Sequence, residues 1–294
     1  MIPLSFVRLR PLLILTAAVV LLVYIGIPAL FGVYAVLPAG EEVGPPPPGF
    51  EEVGFTTEDG IPLAAWYAPP SGTGAAIILI HGAGGSRHDI CSYALMLQRH
   101  GYGVLAPDLR GHGMSGGGTN RFGWESDRDV GAAVAFLEGQ EGVRAIGGMG
   151  LSLGGEVLLG AASAHPAVEA IVADGATHRS SADLLALESE RPLERSFTAR
   201  LMYAVVALLS GDAAPLPLPE SIAGSGSTGY LLIAAGEKPM EEAFARLYAG
   251  EAGGRASVWV VPGAGHTGAY SLRPDDYERR VIAFFDAALC RTDS

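Results

Sequence analysis

The sequence predicts an α/β fold: a mostly parallel sheet with helices on both faces, preceded by an N-terminal transmembrane helix. Three observations carry this reading. Six short apolar runs each end in glycine or a polar residue, as strands buried on both faces do. Segments of helical period alternate with those runs. Near the N-terminus stand 26 mostly apolar residues, "LLILTAAVVLLVYIGIPALFGVYAVL", without a charge. With 294 residues, 49% hydrophobic and 17% charged, the chain can bury one sizeable core and is too apolar for disorder.

The apolar N-terminal run would measure roughly 39 Å as a helix, against roughly 30 Å of hydrocarbon. It is longer than the apolar core of a cleaved signal peptide, and no A-x-A site ends it. Residues 1–40 are therefore expected to be a cytoplasmic stub and membrane anchor. Pro28 should disturb the helix, which membrane spans tolerate. Arg8 and Arg10 precede the span and Glu41 and Glu42 follow it, so the positive-inside rule puts the body on the extracytoplasmic side. "GPPPPG" (Gly44–Gly49) favours extended geometry, and 41–49 reads as a semi-rigid spacer between membrane and domain.

The body is expected to occupy 50–294. It opens with "FEEVGFTTEDGIPLAAWYAPP", a hairpin with a turn at Glu58-Asp59-Gly60. The six buried strands follow as "AAIILIHG", "GYGVLAPD", "AIGGMGLS", "VEAIVADG", "GYLLIAAGE" and "SVWVVPGAG". Between and after them lie the helical segments "HDICSYALMLQRHG", "DRDVGAAVAFLEGQ", "GEVLLGAASAHP", "MEEAFARLYAGE" and "PDDYERRVIAFFDAALC". Residues 176–228 interrupt the alternation with an insertion carrying "SFTARLMYAVVALLSG", which reads as a small lid over the carboxyl ends of the strands.

Net charge is −12 and Lys238 is the sole lysine, so no basic face is available for nucleic acid. The seven histidines show no H-E-x-x-H or C-x-x-C pattern, so no metal and no cofactor are expected. Cys91 and Cys290 could pair in an oxidising compartment, though two buried free thiols are the commoner outcome.

Ser152 lies at the centre of "GLSLG", between a strand-like run and a helix-like run, which is the setting of a nucleophile elbow. His266 in "VPGAGHTGAY" follows the last strand on a glycine-containing turn and is the candidate base. "LIHGAGGS" follows the first parallel strand, and its glycines let backbone N–H groups face a developing oxyanion; Ala83 and Leu153 are the candidate donors. That loop lacks the lysine of a P-loop and fails the G-x-G-x-x-G spacing.

From about Phe50 to Cys290 the chain resembles an α/β-hydrolase fold serine hydrolase. "HGAGGS" is similar to the oxyanion loop, "PDLRGHGMSGG" to the loop after the next strand, "GLSLGG" to the elbow and "GAGHTG" to the histidine loop. With its span, the whole looks like membrane-anchored bacterial esterase-type hydrolases. The resemblance implies ester or related acyl cleavage through an acyl-enzyme and a Ser-His-acid triad, on a small-molecule or lipidic acyl substrate. The same fold hosts acyltransferases, and a degenerate member would be a non-catalytic surface binding protein.

The acid departs from the family pattern. Its usual position, three residues after Gly236, is Pro239. The candidates are Glu242, favoured because its extra methylene reaches from the start of a helix, with Glu241, Asp174 and Glu237 as alternatives. Glu241 and Glu242 could instead only stabilise a helix N-terminus. Asp108, Arg110 and His112 are expected to tie their loop together rather than to react, and Trp66, Trp124 and Trp259 to pack.

Overall fold

Short β-branched and aliphatic runs build the sheet at the centre of the molecule, and the computed structural model describes it within residues 4–118, 122–187 and 193–290. Residues 1–3 of the expected stub and 188–192 of the expected insertion lie outside the described residues.

The chain starts with α1 (Leu4–Leu21), a π-helical turn at Leu22–Gly26 and α2 (Ile27–Val36). Pro28 has no N–H for the carbonyl of Tyr24, and its ring crowds that carbonyl. The disturbance expected at Pro28 takes the form of the widened turn, in which Ile27 N–H reaches back to Leu22 O. Over Leu9–Val36 the helix is long and apolar enough, by length and composition, to cross a membrane, which a signal sequence would also satisfy.

The expected spacer does not hold the body away from this helix. Pro28, Gly32, Ala35 and Val36 lie on one face of α2 and are already buried against the body. Past Val36, the short strand β1 (Ala39–Gly40) pairs with β6 (His112–Gly113), and Ala39 N–H donates to Gly111 O at 2.7 Å. The proline run then follows the surface of the body, with Val43 packed on its core and Phe50 buried in it. Docking comes before the prolines, so they separate nothing.

The hairpin forms as expected, with β2 (Glu51–Thr56) and β3 (Pro62–Ala68) antiparallel about a turn containing Gly60. Strands β4 (Ala75–Ile80), β5 (Gly103–Pro107), β7 (Ala145–Leu151), β8 (Val168–Asp174), β9 (Gly229–Ala235) and β10 (Ala256–Val261) are the six apolar runs. The eight-stranded sheet has the order β10-β9-β8-β7-β4-β5-β3-β2, parallel throughout except at β3 and β2.

Alternate side chains of these strands feed two cores. On one face α3 (Cys91–Arg99) and α11 (Pro274–Leu289) cover Ile77, Leu79, Met149, Val172 and Ile233. On the other, α4 (Asp127–Glu138), α5 (Leu153–Ala161) and α9 (Pro239–Glu251) cover Ile78, Ile80, Ile171 and Leu232. Within the expected insertion lie α6 (Ser181–Ala186), α7 (Leu193–Ser210) and α8 (Leu218–Gly224). A last short helix, α10 (Ala269–Leu272), precedes α11.

Cys91 and Cys290 are both free thiols, and the Cys290 Sγ lies 3.8 Å from the Tyr102 hydroxyl. Trp66 is buried in the core. Trp124 stacks on Tyr203 and donates to Arg179 O, while Arg280 lies over Trp259.

Because β4 is flanked by β5 on one side and β7 on the other, the chain reverses its direction of winding there, and the carboxyl ends of β4 and β7 face one crevice. Phe285 of α11 holds that region from below, fully buried against Gly147 of β7, where an added Cβ would come within 3.0 Å of its ring. Phe285→Ala should cost about 3–5 kcal/mol of stability, read as a lowered thermal midpoint of the detergent-solubilised full chain.

Candidate active site

Ser152 sits between β7 and α5 with φ 51° and ψ −117°, a left-handed conformation that is costly for a residue with a Cβ. Two contacts show why the chain accepts it. An added Cβ on Gly150 would stand 2.2 Å from the Gly154 carbonyl carbon, and one on Gly154 would stand 2.4 Å from Ile80 O. Only glycines allow α5 to turn back this tightly against β7 and β4. Ser152 N–H donates to Asp174 O at 2.7 Å and its own carbonyl accepts from Glu156 N–H at 3.1 Å, so both sides of the turn are held.

The hydroxyl so presented is 2.9 Å from His266 Nε2. The other ring nitrogen, Nδ1, is 2.7 Å from Glu241 Oε1. A carboxylate can only accept, so Nδ1 carries the proton and Nε2 is left to accept from the serine. Glu241 is 3% exposed, and its second oxygen accepts from Ala235 N–H at 2.8 Å. His266 rests on Gly175, where an added Cβ would lie 3.1 Å from ring Cε1.

The carboxylate at His266 is Glu241 and not the favoured Glu242. Glu242 points outward from α9 and pairs with Arg246 one turn on, at 2.6 Å. Glu241, one residue earlier, shares the buried face of α9 with Phe244, Ala245 and Tyr248, and that face turns it toward His266. Pro239 occupies the first turn of α9, where its missing N–H costs nothing. Glu237 is exposed.

Asp174 is 1% exposed at the end of β8 and accepts from the Tyr277 hydroxyl at 2.8 Å, while its Oδ1 has no partner among the described residues. Burial pushes it up to about 7, and the charge of Glu241 adds to the rise. Glu156, on α5, accepts from Thr177 N–H at 2.8 Å and is likewise pushed up to about 7 by burial. For His266 the hydrogen bond to Glu241 raises the pKa above the usual 6.5, outweighing burial, which lowers it.

The loop after β4 closes the other side. An added Cβ on Gly82 would lie 3.6 Å from the Ser152 Cβ, and Ala83 lines the same cleft as Ser152 and His266. Leu153 opens α5, so its N–H belongs to the first turn, which has no intrahelical acceptor. The cleft measures 570 Å³ and is walled by Tyr93, Tyr270, Ile90 and Leu151, with Asp89, Ser92 and Ser271 adding polar groups. No described residue of the insertion lines it; α7 lies to one side, with Tyr203 against His178 of the loop after β8.

Asp108, Arg110 and His112 bind their own loop. Asp108 pairs with the buried Arg87 guanidinium and accepts from Arg87 N–H at 2.7 Å and Met114 N–H at 2.9 Å. Arg110 bridges Asp129 at 2.7 Å and Asp59 at 2.8 Å. The His112 ring meets Arg110 O at 3.0 Å. Arg87 and Asp129 carry this network; for Arg87 the signal in the sequence is a charged residue beside a glycine-rich loop, and for Asp129, on α4, there is none.

Residues 77–280 match the Alpha/beta hydrolase family. The chain belongs to that family. An uncharacterized protein of Mycobacterium tuberculosis is 30% identical to it over 207 residues, covering 66% of this chain and 69% of its own length. Among solved structures, the Pyrococcus furiosus esterase Pf2001 superposes with a TM-score of 0.69 at 22% identity, covering 86% of this chain and 98% of that one. A dienelactone hydrolase from Anabaena variabilis gives 0.59 at 19% identity, covering 82% and 99%. At these identities the structural likeness is one of fold.

The ring of His266 should titrate above the usual value of about 6.5, followed by its NMR shifts against pH. Removing the acceptor charge with Glu241→Gln leaves burial as the main remaining influence, so the midpoint should fall. A midpoint unmoved by that substitution would mean that Glu241 does not hold the ring in solution.

Proposed function

We propose that the protein is a serine hydrolase that cleaves an ester or related acyl bond through Ser152, His266 and Glu241, with the N–H groups of Ala83 and Leu153 receiving the oxyanion. The observation that carries this reading is the unbroken chain of contacts from Ser152 Oγ to His266 Nε2 at 2.9 Å and from Nδ1 to Glu241 Oε1 at 2.7 Å. Ser152 attacks the carbonyl carbon while His266 takes the hydroxyl proton. The imidazolium so formed is stabilised by Glu241 and returns its proton to the leaving group. Water then repeats the sequence on the acyl-enzyme and frees the acid.

Each part has a physical reason. The negative charge on the carbonyl oxygen develops beside backbone donors at the start of α5, where removing one donor typically costs about 2.7–4 kcal/mol of transition-state stabilisation. Glu241 keeps Nδ1 protonated, so that the basic lone pair faces the serine. Its backbone bond to Ala235 fixes the carboxylate in turn. A purely binding role drew its support from Pro239 at the usual acid position, and a carboxylate within hydrogen-bond distance of His266 takes that support away.

The N-terminal helix belongs to the same proposal. Leu9–Val36 anchors the chain in a membrane as a single span, and the charge asymmetry of Arg10 against Glu41 and Glu42 puts the body on the extracytoplasmic side.

The test is fluorophosphonate labelling of the full chain in detergent, followed by hydrolysis of p-nitrophenyl esters. Ser152→Ala and His266→Ala should abolish labelling. Glu241→Gln should lower kcat by up to about 10⁴-fold, while Glu242→Gln should leave it unchanged. Labelling that survives in Ser152→Ala would overturn the nucleophile assignment, and equal effects of the two glutamate substitutions would overturn that of the acid.

A further inference from the structure

Helix α7 presents three different faces. Tyr203 and Val206 point into the body and are buried. Val205 and Met202 meet α2: an added Cβ on Gly32 would lie 2.7 Å from Val205 Cβ and 2.8 Å from Met202 O, so the two helices touch almost backbone to backbone. The third face carries Phe197, Leu201, Ala204 and Leu208, spaced i, i+4, i+7 and i+11. Its ends are open: Phe197 is 52% and Leu208 80% exposed, with Leu209 beside them at 50%.

Alongside, α2 exposes Leu30, Phe31, Val33 and Tyr34, so both packed helices present apolar side chains to the outside. A surface of that extent on a soluble body calls for a partner.

The geometry of the span identifies the partner. With α2 docked from Pro28 onward, every residue of Leu9–Gly26 is exposed, and its last turn, Leu22–Gly26, already runs beside α7. Eighteen residues rise about 27 Å, close to the roughly 30 Å of a hydrocarbon core. The exposed part of the span therefore uses up the bilayer, and α2 emerges at its outer boundary with α7 already beside it.

We propose that α7 is a membrane-docking helix: its Phe197–Leu208 face lies in the outer boundary of the same bilayer that the N-terminal helix spans, with lipid acyl chains as its partner. The inference rests on the anchor proposed above.

The consequence is a fixed attitude of the body. A single flexible anchor would let the body tumble over the membrane, whereas a span and a second helix locked together at Gly32 hold it in one orientation. The loop after β8 links this contact to the reactive centre. Its Gly175 supports the His266 ring, and three residues on, His178 pairs with Tyr203 of α7 at 2.6 Å. Between α2 and α7 lies a groove of 390 Å³, walled by Val23, Ile27, Phe31 and Met202 and ending at His178.

Site-directed spin labelling tests the docking. In the full chain carrying Cys91→Ser and Cys290→Ser, one cysteine is introduced at a time as Leu15→Cys, Phe197→Cys, Leu208→Cys or Glu141→Cys. Each labelled protein is reconstituted in phosphatidylcholine vesicles containing phosphatidylglycerol. Collision with oxygen against a water-soluble nickel chelate then reports depth. Glu141 is exposed and precedes β7, at the end of the sheet away from the insertion, and serves as the aqueous reference.

Oxygen-dominated collision at 15, 197 and 208, with nickel-dominated collision at 141, is the expected result. Lipid-like behaviour at 15 with aqueous behaviour at both 197 and 208 would overturn the docking of α7 and leave the anchor standing. Aqueous behaviour at 15 would overturn the anchor and this inference with it.

Discussion

The tight turn at Ser152 is the constraint on which the rest of the site depends. The residue holds a positive φ because the turn packs α5 against β7 and β4 at distances that only Gly150 and Gly154 permit. That packing aims the hydroxyl out of the sheet and starts α5 directly beneath it. The first-turn N–H groups of α5 then face the crevice beside the loop after β4. Strain at one residue is offset by a helix and two strands packed around it, a distribution typical of reactive positions.

Charge around His266 is arranged with similar economy. Two carboxyl groups approach the ring, one from α9 and one from the end of β8, and two adjacent anions in a buried setting would repel each other. Glu241 is supplied with partners for both oxygens, the ring N–H and the Ala235 N–H. Asp174 receives the Tyr277 hydroxyl alone, and burial shifts it toward the neutral acid. The environment therefore separates the two: Glu241 meets the imidazole, and Asp174 fills space between β8 and α11 with its acidity weakened by burial. Position along the chain does not decide which is which, but hydrogen-bond partners do.

This explains how far the sequence could be read. The strands, the elbow, the histidine loop and the alternation of layers are local patterns, and each lies where its pattern predicts. The acid required a different signal. Glu241 and Glu242 differ by a single residue, so neither reach nor spacing from Gly236 distinguishes them. Helical phase does: Phe244, Ala245 and Tyr248 define the buried face of α9, and extending that face one turn back lands on 241, not 242. The spacer failed for another reason. Whether residues 41–49 separate two bodies depends on α2 meeting α7 across a long interval of sequence. Neither composition nor periodicity encodes that contact.

Gly32 nevertheless left a mark in the chain. A glycine in the middle of an apolar helix weakens it by roughly 1 kcal/mol relative to alanine, and a helix surrounded only by lipid gains nothing from it. Here the missing side chain admits Val205 and the carbonyl of Met202, and Pro28 and Ala35 continue the same narrow face. Small residues at this spacing are the means by which helices approach closely where hydrophobic burial gives little drive. The last third of the apolar helix Leu9–Val36 is thus built for contact with protein on one side and exposed on the other. A helix with that asymmetry belongs to the architecture of the body as much as to its attachment, and removing it would strip α7 of one of its two packed faces.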